Sequence, residues 1–419
     1  TTPPSFPLAR NIPQLIPENL LQGKPYPIDT LFLYYTNPLF SLPPIEKTAQ
    51  ALAKIPFIVS FSPFLDESSA QADLILPDHT YLERWQDDPM LPVAKYSLFG
   101  LGKPVVKPLY DTRATGDTLI TIAQQMGGGI KEAFPWENFL DVIHYSAQGL
   151  FEARRGNIVE TFTEEPWIAL LARRGVWNPS YRTFDEMWEQ LLEKGGWWDP
   201  AYIFGEWDRI FQTPSGKFEF FSQHLQQRLE EWIRTGKDPS APLSPEEREA
   251  LLATLGLEAK GDLLYLPHFE PPQAGEEEKE YPFYLNTYKL MTQGLGRSAN
   301  QPFLQEIIGP HVQVKWDSWV EINPETAHEL GIADGDLVWV ESPLGKILVQ
   351  AKLYPGTMPE VVNIPFGQGH TAYGRWATDR GANPNRLIAS TLEPLAGFPT
   401  WFGTRVKIYK AEEKGKPTV

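Results

Sequence analysis

Hydrophobic and polar positions follow two different periods along this chain, and the change falls near residue 280. Thr30–Tyr35 reads as a strand running into the turn Thr36-Asn37-Pro38, and Pro44–Ile55 as a helix with Ile45, Ala49, Leu52 and Ala53 on one face. Phe57–Phe61 follows as a second strand. Strand, turn, helix and strand make one βαβ step of a parallel sheet, and the unbroken run Phe57-Ile58-Val59 suits a strand covered on both faces. Ala72–Pro77 reads as a short strand stopped by proline. Helices are predicted over Gly116–Met126, with Gly127-Gly128-Gly129 past its end, and over Trp136–Arg154, Phe184–Lys194 and Pro245–Gly256. Thr213–Lys217 reads as a turn and Phe218–Ile233 as an amphipathic stretch. Residues 1–28 are rich in proline and lack helical spacing, which predicts an extended arm. From Tyr281 onwards short alternating runs take over, at Trp319–Ile322, Leu337–Val340, Lys346–Leu353 and Val361–Pro365. Turn signals at Asp334-Gly335, Leu344-Gly345 and Pro355-Gly356 separate them, the pattern of a β-barrel or sandwich.

Two portions follow: an α/β portion over 1–280, itself divided near residue 75, and a barrel over 281–419. The solvated charge run Gln273–Glu280 is the linker between them, and Asp238–Ser244 is a polar break. A length of 419 residues fits two or three domains and a core that needs no staples. The chain has no cysteine, which excludes disulfides, thiolate zinc sites, a cysteine nucleophile and an iron–sulfur cluster ligated by its own side chains. The net charge of -16 argues against non-specific binding to nucleic-acid phosphates. No apolar run has the length of a membrane helix, and no signal peptide is read at Thr-Thr-Pro-Pro-Ser.

The seven histidines, His79, His144, His224, His268, His311, His328 and His370, form no HxH or HExxH pair, so a protease-type zinc site has no support. Nucleophile elbow, P-loop and Rossmann fingerprint are all missing. Three polar segments stand out instead. Asn37 sits where a strand ends, the place at which open α/β sheets bind ligands, and its amide both donates and accepts, as reading a purine or pterin edge requires; an ordinary Asn-Pro turn is the alternative. Ser60–Pro77 holds a hydroxyl-rich loop with carboxylates at Asp66 and Glu67, which also reads as a capped surface turn. The loops Asn286–Gly294, Gly367–His370 and Gly381–Leu387 can meet one polyphosphate ligand or be plain barrel connections.

In this order, the segments resemble the C-terminal part of the molybdopterin oxidoreductases of the dimethyl sulfoxide reductase family, in its polysulfide, tetrathionate and arsenate reductase branch. Thr36-Asn37-Pro38 is similar to the family's Gly-x-Asn-Pro loop, with Tyr35 in place of the glycine. Asp66–Pro77 followed by Tyr81-Leu82-Glu83 resembles its T-E-T-A-x-x-A-D-x-x-L-P signature, and Thr213–Glu219 its T-P-S-G-K-x-E. Ile322-Asn323-Pro324 through Asp336 resembles the start of its double-psi barrel. The fold implied is a set of α/β dinucleotide-binding-like domains followed by a double-psi β-barrel. The cofactor implied is bis(molybdopterin guanine dinucleotide) with molybdenum or tungsten. On this resemblance Thr36 and Asn37 would face a guanosine end, with Ser60 and Ser62 at the next strand end. Ser62 stands where the family often has aspartate. Thr287, Tyr288, Lys289, Met291, Thr292 and Gln293 would line pterin and phosphates, beside His370 and Asn385.

The family places its metal ligand and iron–sulfur cysteines in an N-terminal half. The chain is therefore expected to be the cofactor-holding C-terminal part of a molybdenum oxidoreductase, active in oxygen- or sulfur-atom transfer. Its expected partners are an N-terminal half or a separate subunit, an iron–sulfur electron-transfer subunit and a membrane quinone-reactive subunit. The alternative is a metal-free structural subunit of a quinone-linked membrane redox complex. The resemblance also implies a bacterial periplasmic or membrane-associated location.

Overall fold

Three short strands organise the beginning of the chain: β1 (Thr30–Tyr34), β2 (Phe57–Phe61) and β3 (Leu74–Ile75), paired in that order. They belong to a computed structural model of the 419-residue chain. It describes residues 6–9, 11–90, 97–158, 174–177, 179–199, 207–235, 244–271, 279–307, 314–389 and 391–411. Between β1 and β2 run the helices Pro38–Ser41 and Ile45–Leu52. The second buries Ile45, Thr48, Ala51 and Leu52, while Ala53, expected on the inner face, is exposed at its end. Leu33, Leu39, Leu52, Ile55 and Ile58 form the core here. The proline-rich start is not the extended arm expected: Ile16–Gln22 is a helix, closed by Gly23 in the left-handed region, and its Leu20 packs onto this core. Tertiary packing supplies what its short length and Pro17 withhold.

The described residues divide into two compact units, one of 1–60, 64–74 and 213–419, the other of 61–63 and 75–212. In the second, β4 (Gln86–Met90), β5 (Ser97–Gly102), β6 (Asn157–Ile158) and β7 (Gly196–Asp199) form an antiparallel sheet in the order β4-β5-β7-β6. None of these strands is legible in the hydropathy pattern, being polar, glycine-rich or only two to four residues long. The helices Phe139–Glu152 and Phe184–Lys194 lie within spans that the periodicity predicts. Asn138 and Asp141 cap the first reciprocally. Ile143, Ala147, Met187 and Leu191 bury their inner faces against Phe99, Leu101 and Trp197. The helix Thr115–Met126 ends at Gly127, but the glycine run does not end helical structure, since Gly128–Ala133 starts another turn.

The first unit is completed by a closed six-stranded barrel. Its strands are β8 (Phe283–Lys289), β9 (Trp319–Ile322), β10 (Leu337–Ser342), β11 (Gly345–Leu353), β12 (Val361–Phe366) and β13 (Arg405–Lys410). They pair around the ring as β10-β11-β9-β12-β8-β13, with β11 parallel to β9 and β12 parallel to β8. Alternate residues of each strand, among them Leu285, Val320, Ile322, Val338, Val340, Val362, Ile364 and Val406, fill the interior. The boundary expected at 280 falls inside this unit. The helices Gln223–Ile233 and Pro245–Ala253 share a core with Leu264, Tyr265 and, from the segment between β12 and β13, Leu395. Of the expected linker, residues 273–278 lie outside the described residues, as do residues 238–243 of the polar break and His311. Among the described residues no helix is long and apolar enough to cross a membrane.

Gly156 tests the packing of the second unit. Its φ is +69°, and a Cβ there would lie 2.1 Å from the Trp197 ring and 2.6 Å from the Trp198 carbonyl. Gly156→Ala is expected to destabilise this unit by about 2–5 kcal/mol, the sum of left-handed strain and overpacking. Denaturant melts followed by tryptophan fluorescence measure the loss; a change under about 0.5 kcal/mol would show that the position is not so constrained.

Candidate functional site

Asn37 follows β1 and precedes a helix that opens with Pro38, so its backbone carbonyl accepts from Phe40 and Ser41 in the first turn. Its side chain does not cap that helix. It donates from Nδ2 to Glu67 Oε2 (2.6 Å), and its Oδ1 accepts from the Ser68 backbone N–H (3.2 Å) and hydroxyl (2.7 Å). Ser68 Oγ in turn accepts from the Leu39 N–H. The loops after β1 and β2 are thereby locked together through side chains.

Glu67 is the centre of the arrangement. It is buried, and its carboxylate accepts from Asn37, from the backbone N–H groups of Thr371 (2.7 Å) and Ala372 (3.1 Å), and from His370 Nδ1 (3.1 Å). The other ring nitrogen of His370, Nε2, faces the Gly296 carbonyl at 3.1 Å. Carboxylate and carbonyl only accept, so in each of these two contacts the ring nitrogen is the donor. Phe40 stacks on one face of that ring, with centroids 3.8 Å apart and planes 3° from parallel, and Tyr373 stacks on it at 4.9 Å. Gly296 is required for this approach: its φ is +91°, and a Cβ would lie 2.7 Å from Phe40 and 3.4 Å from His370 Nε2. Burial pushes the Glu67 carboxyl up, but the hydrogen bond and charge of His370, with the Asn37 amide and the Ala372 N–H, outweigh it and pull the pKa down to about 2. The Tyr373 phenol is pushed up to about 12, by burial and then by Asp66, and its hydroxyl donates to the Arg297 carbonyl.

The Phe40 carbonyl completes the clasp. It accepts from Asn383 Nδ2 (2.8 Å) and from Asn385 Nδ2 (3.0 Å). Beside it lies a pocket of about 370 Å³ lined by Phe40, Thr287, Phe366, Asn385, Ile388 and Trp401, among others. Gln293, on the segment after β8, is fully buried, and neither atom of its amide has a partner among the described residues.

Of the residues picked out in the sequence, Asn37, His370, Asn385 and Thr287 thus meet around Phe40 and Glu67, with Gln293 one turn from Gly296. Others are placed elsewhere. Tyr288 alternates with Thr287 along β8 and so lies on the opposite face of the strand, where its hydroxyl donates to Glu321 (2.6 Å). Burial and the Glu321 carboxylate hold that phenol far above its usual range. Lys289 is exposed at the strand end, Thr292 is half-buried, and Met291 is 100% exposed. Thr36 is exposed, and Ser60 is buried in a hydroxyl pair with Ser69 (2.8 Å). Ser62 is buried and belongs to the second unit. Asp66 does cap a turn, accepting from the Ser69 N–H at 2.7 Å. Glu67, Phe40, Tyr373 and Asn383 were not singled out by the sequence; only the pair of carboxylates at 66 and 67 hinted at the first.

Residues 284–404 match the family model described as the molydopterin dinucleotide binding domain. Over 92% of its length the chain is 29% identical to the arsenate respiratory reductase molybdopterin-containing subunit ArrA of Shewanella sp. (strain ANA-3), covering 45% of that protein. Over 94% of its length it is 26% identical to the menaquinone reductase, molybdopterin-binding-like subunit, of Nitratidesulfovibrio vulgaris, covering 43%. The fold is similar to that of acetylene hydratase from Pelobacter acetylenicus, with a TM-score of 0.63 and 21% identity over 95% of this chain and 46% of that one. The chain spans about half the length of the curated relatives it matches.

Glu67 sets an acid limit on this unit. In the folded chain it stays ionised down to about pH 2, whereas the unfolded chain takes up the proton near 4.5. Its contribution, on the order of 3 kcal/mol, is therefore complete above pH 4.5 and lost as pH falls from there towards 2. Glu67→Gln should be less stable at neutral pH by a similar amount and should lose less between pH 4.5 and 2. Parallel acid profiles for the two proteins, measured by urea unfolding, would remove Glu67 from this role.

Proposed function

The chain belongs to the dimethyl sulfoxide reductase family of molybdopterin oxidoreductases, as its C-terminal portion, and from that membership we infer that it holds bis(molybdopterin guanine dinucleotide) for a molybdenum oxidoreductase acting in oxygen- or sulfur-atom transfer. The observation that carries this reading is Gln293. A buried amide with no partner costs about 1–3 kcal/mol, and a pterin edge offers the alternating donors and acceptors that would satisfy it. Thr287 and Asn385 would hold the pterin and its phosphates from the pocket through hydrogen bonds, with Phe40 and Trp401 as apolar walls that exclude water, and Gln293, one turn from Gly296, would meet the pterin edge. When bound, the molybdenum centre supplies the two-electron redox chemistry. The chain's own part is to orient that group on a rigid support, in which the Glu67–His370 pair fixes the loops around the pocket. The double-psi topology fits the two parallel strand pairs of the barrel. The metal ligand and iron–sulfur cysteines would come from an N-terminal half or a separate subunit. An iron–sulfur electron-transfer subunit and a membrane quinone-reactive subunit would complete the assembly, on the periplasmic or membrane-associated side.

A second reading is a metal-free structural subunit of a quinone-linked membrane complex. Two observations favour it: Asn37, Asn383 and Asn385 already spend amide donors inside the chain, and one relative is named a molybdopterin-binding-like subunit. Metal and pterin analysis of the purified assembly separates the two, since only the first reading expects stoichiometric pterin.

Gln293→Leu probes the cofactor reading directly. It breaks no hydrogen bond within the described residues and nearly conserves volume, so the melting temperature should hold or rise. Pterin content of the assembly should fall severalfold. Wild-type pterin content in a folded variant would refute the assignment of Gln293.

A further inference from the structure

Trp316 and Trp376 face each other with ring centroids 5.9 Å apart, and each carries a guanidinium on its face. Arg375 lies over Trp376 at 4.5 Å and Arg380 over Trp316 at 5.0 Å. The ladder Arg375–Trp376–Trp316–Arg380 stands on the segment that follows His370 and on the approach to β9. Stacking uses the flat face of a guanidinium and leaves its five N–H donors, all in the plane, for other partners.

Among the described residues neither arginine pairs with a carboxylate. The nearby Glu306 is taken up by Lys315 and by the Trp316 indole N–H. Arg380 Nε is buried with no partner among the described residues. With the adjacent Nη it forms the edge of the guanidinium that grips an oxyanion through two parallel hydrogen bonds. Three non-glycine residues of this region, Trp316 (φ 63°), Tyr373 (φ 89°) and Asp379 (φ 59°), hold left-handed backbone, the kind of strain that collects at binding sites. In a chain of net charge -16, a braced pair of arginines without a salt bridge among the described residues is a local exception.

We propose that the Arg380 edge, supported by Arg375 and braced by the two indoles, binds a small tetrahedral oxyanion of the phosphate, sulfate or arsenate class. A small anion fits better than the acidic side chain of a protein partner, because the orphaned Nε is buried while Arg375 beside it is an exposed residue. The proposal does not need a bound pterin, since every donor belongs to this chain.

Titration of the full chain with sodium sulfate and with sodium arsenate, at ionic strength held constant with chloride and read by calorimetry, tests it. Saturable binding is expected. Arg380→Gln should weaken it about tenfold or more, and Arg375→Gln about threefold. Arg380→Lys, which keeps the charge and loses the fork, should fall between wild type and Arg380→Gln and covers the case in which Arg380→Gln does not fold. Absence of saturable binding to wild type, or equal affinity in the folded Arg380 variants, overturns the proposal. It is also overturned if those variants bind sulfate normally while the purified assembly loses guanine nucleotide, which would assign the edge to a cofactor phosphate.

Discussion

One buried carboxylate decides the geometry of the candidate site. Glu67 is separated from His370 by 303 residues, and bringing them together joins the loop after β2 to the loop after β12. A carboxylate removed from water is costly unless donors surround it, and removing one partner of a buried pair is typically worse than never having built the pair. Here the donors come from two separate stretches of chain: the Asn37 amide on one, and the His370 ring with the next two backbone N–H groups on the other. Each stretch is therefore fixed by a penalty for moving as well as by an attraction. The Phe40 ring stacks on the same histidine, and its carbonyl takes both Asn383 and Asn385, so the effect of Glu67 reaches the pocket wall one layer further out.

The elements that depend on local periodicity are legible in the sequence. Alternation at period two locates four of the barrel strands, because each buries one face in a common interior. The helix Phe184–Lys194 is legible for the same kind of reason, with Thr183 as its cap and Gly195 closing it. What escapes is structure that owes its existence to neighbours. Ile16–Gln22 is helical because Leu20 has a core to enter, and β6 is two residues that pair with Trp197 and Trp198. The division at 280 and the compact units rest on different features: a charged run marks exposure, whereas unit membership follows side chains such as Leu395 packing back across it.

In the site, residue chemistry is legible and partnership is not. Asn37 and His370 stand out as polar groups at chain reversals, yet nothing in the sequence says that both answer to Glu67 rather than to solvent. One misplacement is avoidable. Thr287 and Tyr288 are adjacent on a strand, so they cannot share a face, and the pleat alone sends Tyr288 to Glu321. Gln293 is the opposite case: a residue type common on surfaces, found at 0% exposure, whose burial only the three-dimensional packing reveals.

Tyr35 shows how firmly this network holds the backbone. The resembling family has glycine at that place, and the chain here keeps a φ of 50° with a tyrosine. A side chain in the left-handed region costs about 1–2 kcal/mol, which a small shift of the loop would relieve. The shift is blocked two residues later, where the Asn37 amide is bonded at both ends, to Glu67 and to Ser68. Releasing the strain would break three hydrogen bonds, one of them to a buried charge, and such a bond is worth more than the strain it maintains. The turn is therefore specified by its polar partners, and glycine is the residue that fits it with least strain rather than the cause of its shape.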